Sequence, residues 1–106
     1  LAVALNQVFC VNVLPEGARS LADRFSGLYD TEQPDRFGAV NFIEGPTGPV
    51  LEGATAFECI LDNIITHGSH DICIGNVRSV TKCDRLPLTY MDGGFHIVRP
   101  EAKNQD

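Results

Sequence analysis

The segment from His67 to His70, with the sequence HGSH, is the best local candidate for chemistry in this chain. It lies between two long apolar runs, and loops displayed on a rigid scaffold commonly carry binding and catalytic groups. An imidazole can donate a hydrogen bond, accept one or carry charge near neutral pH, so His70 at the rim of a sheet suits contact with an aromatic ligand. The simpler interpretation, which the residues alone favour, is that Gly68 makes a turn and the histidines cap it.

The segment Asp92–His96, with the sequence DGGFH, is a second candidate. Its glycines would let a ligand approach the backbone, and Phe95 offers a ring for stacking. The alternative is a tight turn followed by a core aromatic residue. The residues alone favour that alternative.

The sequence contains no motif typical of a metal site, an acyl-transfer site or a common nucleotide-binding site. His67, His70, His96 and Asp71 could in principle hold a metal ion, but their spacing matches no metal-binding signature, so we expect no metal site. The chain has no G-x-S-x-G, no G-x-G-x-x-G and no P-loop, which argues against acyl transfer, a Rossmann domain and a nucleotide triphosphatase.

Composition narrows the function further. With 8 basic residues, scattered along the chain, and a net charge of −6, no nucleic-acid partner is expected. No apolar run approaches the roughly 20 residues that span a bilayer, so we expect a cytoplasmic protein with no membrane association. The four cysteines form no C-x-x-C pair and are interpreted as free structural thiols.

The front of the chain predicts a strand and a helix. Residues Val8–Leu14 form a β-branched apolar run, typical of a strand buried on both faces, in which Asn12 would satisfy backbone groups. Apolar residues at i, i+3, i+4 and i+7 from Ala18 to Phe25 predict a short helix that Gly27 ends. A loop, a short strand around Ala39–Ile43 and a proline-containing turn over Gly45–Pro49 should follow.

The rest of the chain predicts two hairpins. Residues 54–66 alternate strictly between two faces, residues 71–82 repeat the pattern, and the pair would form a long hairpin closed by residues 66–70. Residues 87–91 and 95–98 would flank a second turn, and the polar tail from Pro100 to Asp106 should fray. Strands at this spacing indicate one mainly β domain over residues 1–106, a small barrel or a sheet that closes on itself.

Five segments, in order, resemble the flavin reductase-like family, which has an FMN-binding split-barrel fold and includes the reductase component of 4-hydroxyphenylacetate 3-monooxygenase. The first two are similar to the family's F-x-V-N-V-L strand and its L-A-x-x-F-A-G helix, which Asp35-Arg36-Phe37 follows. The next is similar to P-V-L-x-G-A. The last two are similar to G-D-H-x-I-x-I-G-x-V and to P-L-x-Y-x-x-G-x-[FY]. In this chain they are Phe9–Leu14, Leu21–Gly27, Pro49–Ala54, Gly68–Val77 and Pro87–His96.

The resemblance implies a small antiparallel split β-barrel with one short helix near the N-terminus, and a homodimer that binds FMN or FAD. It implies an NAD(P)H:flavin oxidoreductase, in which NADH or NADPH reduces the flavin and a partner monooxygenase component receives it. A non-catalytic flavin- or heme-binding barrel, or a dimerisation scaffold, is the alternative. The family's flavin-phosphate segment precedes the region that these motifs cover, so we expect the natural protein to continue upstream of Leu1.

The resemblance also assigns roles to residues. His70 would be catalytic and would contact the nicotinamide or flavin, Gly68 and Ser69 would shape its loop, and Phe95 would border the ring pocket. Arg36 and Phe37 would lie at the pocket's edge. Two positions depart from the family pattern: Ser69 replaces a usual acidic residue, and Asp92 stands where a basic residue is common.

Overall fold

A computed structural model describes residues 2–102 of the chain. The described residues form two short helices and seven strands: α1 Ala2–Asn6, β1 Val8–Val13, α2 Arg19–Phe25, β2 Phe42–Gly45, β3 Gly48–Leu51, β4 Thr55–His67, β5 His70–Thr81, β6 Leu88–Met91 and β7 Gly94–Ile97. The mainly β prediction is confirmed, and so is the helix before Gly27, whose φ of +96° ends it. Helix α1 was not expected.

The main sheet has the order β1-β4-β5, and both of its pairs are antiparallel. β1 covers only the first half of β4, from Thr55 to Ile60. Beyond that point β4 pairs with β5 alone, up to the turn that joins them. The predicted long hairpin is therefore confirmed, and its outer part, residues 61–75, is called the arm below.

The strict alternation expected along β4 is wrong beyond Leu61. The register passes from Leu61↔Gly75 to Asn63↔Ile74, which leaves Asp62 as an extra residue on β4. One bulged residue moves every later side chain of the strand to the other face of the sheet. Ile64, rather than Asn63, therefore lies on the same face as Cys59 and Leu61. As a result Ile65 shares the opposite face with Ile72 and Ile74.

β1 is half-buried, so the expectation of a strand buried on both faces is wrong. One face, carrying Cys10 and Asn12, lies under the β2–β3 hairpin, while Val11 on the other face is 45% exposed. The buried apolar residues among those described are few: Pro15, Leu51, Ala54, Ala56 and Cys59. The core thus lies where β1, β3 and the start of β4 meet.

The turn expected over Gly45–Pro49 is shorter than predicted. β2 and β3 form their own two-stranded sheet, in which Gly45 pairs with Gly48 and Pro49 pairs with Glu44. A proline fits there because β3 has only one sheet partner and needs fewer backbone donors. The last hairpin, β6–β7, turns through Asp92 and Gly93 with φ of +52° and +79°, as its Asp-Gly sequence predicts.

The described strands do not close into a barrel, contrary to the expectation of a closed sheet. They form one three-stranded and two two-stranded sheets. The Pro15↔Pro87 bridge holds the β6–β7 hairpin beside the end of β1, through the bonds from Leu88 N to Leu14 O at 2.7 Å and from Glu16 N to Leu86 O at 2.6 Å. Pro100 to Ala102 are exposed and form neither helix nor strand, and the rest of the predicted tail, 103–106, lies outside the described residues.

Among residues 2–102 we find no helix with the length and apolar character that crossing a membrane requires.

Candidate functional site

The loop that carries His70 is the exposed tip of the arm. His67 pairs with His70, so the turn consists of Gly68 and Ser69 alone, and Gly68 has φ of +60°. All four residues are exposed. None of them lines any of the cavities described below. His70 is therefore accessible, but the surrounding described residues build no wall for a ligand.

Phe37 borders a small cavity on the covered side of β1. The cavity has a volume of about 290 Å³. Its lining consists of residues from β1, α2, β3 and the loop after α2: Cys10, Asn12, Leu14, Phe25, Phe37, Pro49 and Leu51. Phe37 stands at its mouth between Phe25 and Phe42, with ring centroids 5.0 and 5.1 Å away and edge-to-face geometry. Such aromatic pairs are stable and leave ring surface for a planar ligand.

Arg36 does not line this cavity; it fastens the loop that carries Phe37. Its guanidinium donates to both Asp30 carboxylate oxygens, at 3.0 and 2.8 Å, and to the carbonyl of Phe25 at 3.0 Å. The hydrogen bond from Arg36 lowers the pKa of Asp30, and the Asp30 carboxylate in turn raises the pKa of Arg36. Arg36 is thus the sequence neighbour of a residue that lines the cavity. It stabilises the loop that carries Phe37.

Asn12 is the polar residue at the floor of the same cavity. Its Nδ2 donates to Pro49 O at 3.0 Å, and its Oδ1 accepts from Leu51 N at 2.9 Å. Both amide groups are used by the backbone of β3, as the sequence predicted. Asn12 therefore locks β3 onto β1.

Cys10 lines the cavity next to Asn12. Burial raises the pKa of its thiol, with smaller effects from a Thr47 hydrogen bond, which opposes the rise, and from the Glu58 charge, which adds to it. Because the thiolate is the reactive form, a raised pKa makes Cys10 a poor nucleophile at neutral pH. The four cysteines are free thiols, as the sequence predicted.

Phe95 lies in a different place, at a cleft between α2 and the β6–β7 hairpin. The cleft has a volume of about 430 Å³ and is lined by residues of both elements: Ala22, Asp23, Ser26, Tyr90 and Phe95. Tyr90 and Phe95 meet at 5.2 Å and 74°, and the Arg19 guanidinium lies 4.9 Å from the Phe95 ring centroid. An aromatic pair beside a cation and a carboxylate suits a planar, charged ligand.

The predicted site residues therefore lie in three separate places. Gly68, Ser69 and His70 form the arm tip. Phe37 lines the cavity and Arg36 stabilises its loop, while Phe95 lines the cleft. Sequence reasoning missed Arg19 and Tyr90. Arg19 lies one turn before Asp23, and its guanidinium reaches the Phe95 ring of the hairpin. Its partner ring is 76 residues away by numbering, so only the fold reveals the contact.

No group of three or more metal-ligating side chains occurs within residues 2–102. His96, considered above as a ligand, instead pairs its Nε2 with the carbonyl oxygen of Met91 at 2.9 Å.

Comparison with known proteins decides the family. The model of the family described as "Flavin reductase like domain" matches residues 2–99. The chain belongs to this family. It is 36% identical over 99 residues to "FMN reductase (NADH) RutF" of Enterobacter sp. (strain 638), a match that covers 90% of this chain and 59% of that protein. It is 31% identical over 103 residues to "Flavin-dependent monooxygenase, reductase subunit HsaB" of Rhodococcus jostii (strain RHA1), covering 94% and 51%.

A solved structure has the same fold. The Streptomyces globisporus NADH:FAD oxidoreductase SgcE6, in complex with NAD and FAD fragments, superposes with a TM-score of 0.83 at 25% identity. That match covers 96% of this chain and 62% of SgcE6. The chain thus spans a little over half the length of the flavin reductases it matches.

Proposed function

We propose that the protein is an NAD(P)H-dependent flavin reductase that supplies reduced FMN or FAD to a partner monooxygenase. The family match over residues 2–99 carries this proposal. The relatives' names supply its details, since one is an NADH-dependent FMN reductase and another is the reductase subunit of a flavin-dependent monooxygenase. The four free thiols suit a reducing compartment, so we propose the cytoplasm as the location.

The described residues fit the aromatic part of such nucleotides better than their phosphates. The Phe25–Phe37 cavity and the Tyr90–Phe95 cleft both offer ring surface. Neither is lined by a cluster of basic residues, and Arg19 alone stands near the cleft. A bound flavin supplies the hydride-accepting ring, so the protein's own contribution is to bind, orient and exclude water. We assign binding of the flavin phosphate to the part of the relatives that this chain does not match.

We propose a homodimer whose interface includes one face of the arm. Three isoleucines on that face are between 41% and 53% exposed: Ile65, Ile72 and Ile74. A contiguous apolar patch of this kind commonly marks an association surface. We further propose that the split barrel closes only with strands outside residues 1–106.

His70 would then act at a composite site. We propose that it contacts the nicotinamide or flavin ring, with Gly68 and Ser69 setting the turn. The tip lines neither of the two cavities described above, and we propose that the opposite wall of its site comes from outside the described residues. A second subunit would supply it. Phe37 and Phe95 would border ring-binding surfaces, and Arg36 would position Phe37.

The test is steady-state turnover of the protein at its natural length. NADH and NADPH oxidation would be followed with FMN and with FAD. We expect flavin-dependent oxidation, and its absence with every pair would overturn the proposal.

The variant His70→Ala should lower turnover about tenfold or more, as loss of a positioned polar group does, while His67→Ala, which alters the other histidine of the same turn, should not. Equal kinetics for both variants would remove His70 from the site.

The alternative is a non-catalytic flavin- or heme-binding barrel or a dimerisation scaffold. The exposed arm tip and the replacements at Ser69 and Asp92 favour it. A coloured protein that oxidises no nicotinamide would support this alternative against the reductase.

A further inference from the structure

The cleft between α2 and the β6–β7 hairpin is lined by an aromatic pair and a carboxylate and is bordered by a guanidinium, and these three groups together select a ligand class. An aromatic pair, Tyr90 and Phe95, forms one wall. The carboxylate of Asp23, whose side chain is 24% exposed, lies in the opposite wall with Ser26. The guanidinium of Arg19, which is 70% exposed, lies beside the Phe95 ring.

Each group points to a different part of one molecule. An aromatic side chain binds a planar ring against its face, and the edge-to-face pair of Tyr90 and Phe95 offers a bicyclic purine one ring face and one ring edge. A carboxylate accepts hydrogen bonds from an exocyclic amine. An arginine pairs with phosphate oxygens through its forked donors, and it can do so while stacked on an aromatic ring.

The guanidinium is free to make that pairing. Its contact with Asp23 is long, at 3.8 Å, and exposed, so it competes weakly with a phosphate. The guanidinium of Arg36, in contrast, already donates hydrogen bonds to Asp30 and to the carbonyl of Phe25. The cleft's volume of about 430 Å³ lies within the range of small-molecule sites.

We propose that this cleft binds the adenosine phosphate end of the nicotinamide dinucleotide, with the purine against Tyr90 and Phe95, its amine on Asp23 and a phosphate on Arg19. The proposal rests on the proposed reductase function and assigns the part of the substrate that does not react. Binding energy from such a remote part of a substrate holds the reacting ring in place.

The experiment measures ADP binding by calorimetry to the protein at its natural length, with nicotinamide mononucleotide as the second probe. Arg19→Gln and Phe95→Leu should each raise the Kd for ADP about tenfold, since each removes one charge-assisted or stacking contact. They should also raise the KM for NADH by a similar factor and leave the KM for flavin unchanged. Arg24→Gln is the control, because it removes the same charge from the same helix, whereas the contact with the Phe95 ring is made by Arg19.

Two results would overturn the proposal: unchanged ADP binding in both variants, or a loss confined to nicotinamide mononucleotide. If Phe95→Leu alters the melting temperature, Arg19→Gln alone decides. Failure of the reductase proposal would be recognised separately, as absent NADH oxidation in the unaltered protein, while the ADP titration would still report on the cleft.

Discussion

The β4–β5 hairpin has two halves that differ in what covers them. In the base half β1 pairs with β4, Ala56 and Cys59 are buried, and the β2–β3 hairpin lies over one face. In the arm, residues 61–75, no residue is buried, and Ile65, Ile72 and Ile74 are each more than 40% exposed. One pair of strands therefore serves as a folded scaffold at one end and as a free surface at the other.

This difference indicates which half of the hairpin stabilises the fold and which half is available for association or catalysis. Burial of apolar surface stabilises a fold by roughly 25 cal/mol per Å², so the base half is expected to carry most of the folding free energy of this sheet. The arm gains little from its own apolar residues as long as water covers them. Substitutions in the base should therefore alter unfolding, while substitutions in the arm should alter association or catalysis.

The largest effect is expected for Asn12→Ala in the base half. The substitution leaves Pro49 O and Leu51 N without their side-chain partners, which should cost about 3 kcal/mol of unfolding free energy. Asn63→Ala is the matched change in the arm, where the side chain bonds only to its neighbour Ile64 N, and it should cost less than about 0.5 kcal/mol. Urea unfolding of both variants measures the difference, and equal losses would break the distinction between base and arm.

The next effect is expected at the boundary between the halves. A Cβ added at Gly75 would lie 2.5 Å from Phe9 Cζ, so Gly75→Ala must displace the ring that covers it, at a cost of about 2 kcal/mol. A double-mutant cycle with Phe9→Leu checks the cause, since the smaller side chain should recover part of the loss. Strictly additive losses would show that the ring is not responsible.

The two halves of the hairpin also show which features could be predicted from the sequence. The hairpins and the helix before Gly27 followed from local patterns of period two and 3.6, and the role of Asn12 followed from its being the polar residue of an apolar strand. The bulge at Asp62 did not, because a strand's alternation looks unbroken when an extra residue is itself polar. The open sheets and the Arg19–Phe95 contact were also not predicted from the sequence, because both depend on how distant segments pack.

A smaller effect is expected for Ile72→Thr in the arm. If the isoleucine face contacts a second subunit, the substitution should raise the dimer dissociation constant about tenfold, which corresponds to about 1.4 kcal/mol. Val80→Thr is the control, because Val80 is 52% exposed but lies on the opposite face of the sheet in the base half. Sedimentation velocity over a concentration series measures both, and unchanged association of Ile72→Thr would exclude this face from the interface.

The smallest effect concerns the loop that Arg36 connects to Asp30 and to the end of α2. The pKa of Asp30 is held below its ordinary value of 3.8, chiefly by the hydrogen bond from Arg36. A lowered folded-state pKa stabilises the fold above the unfolded-state value, and this contribution is lost as the pH falls below about 3.8. The melting temperature of the unaltered protein should therefore fall slightly more steeply in acid than that of Arg36→Gln. Because both partners are exposed, identical acid profiles would mean that solvent screens the pair and that Phe37 is held by the loop's backbone alone.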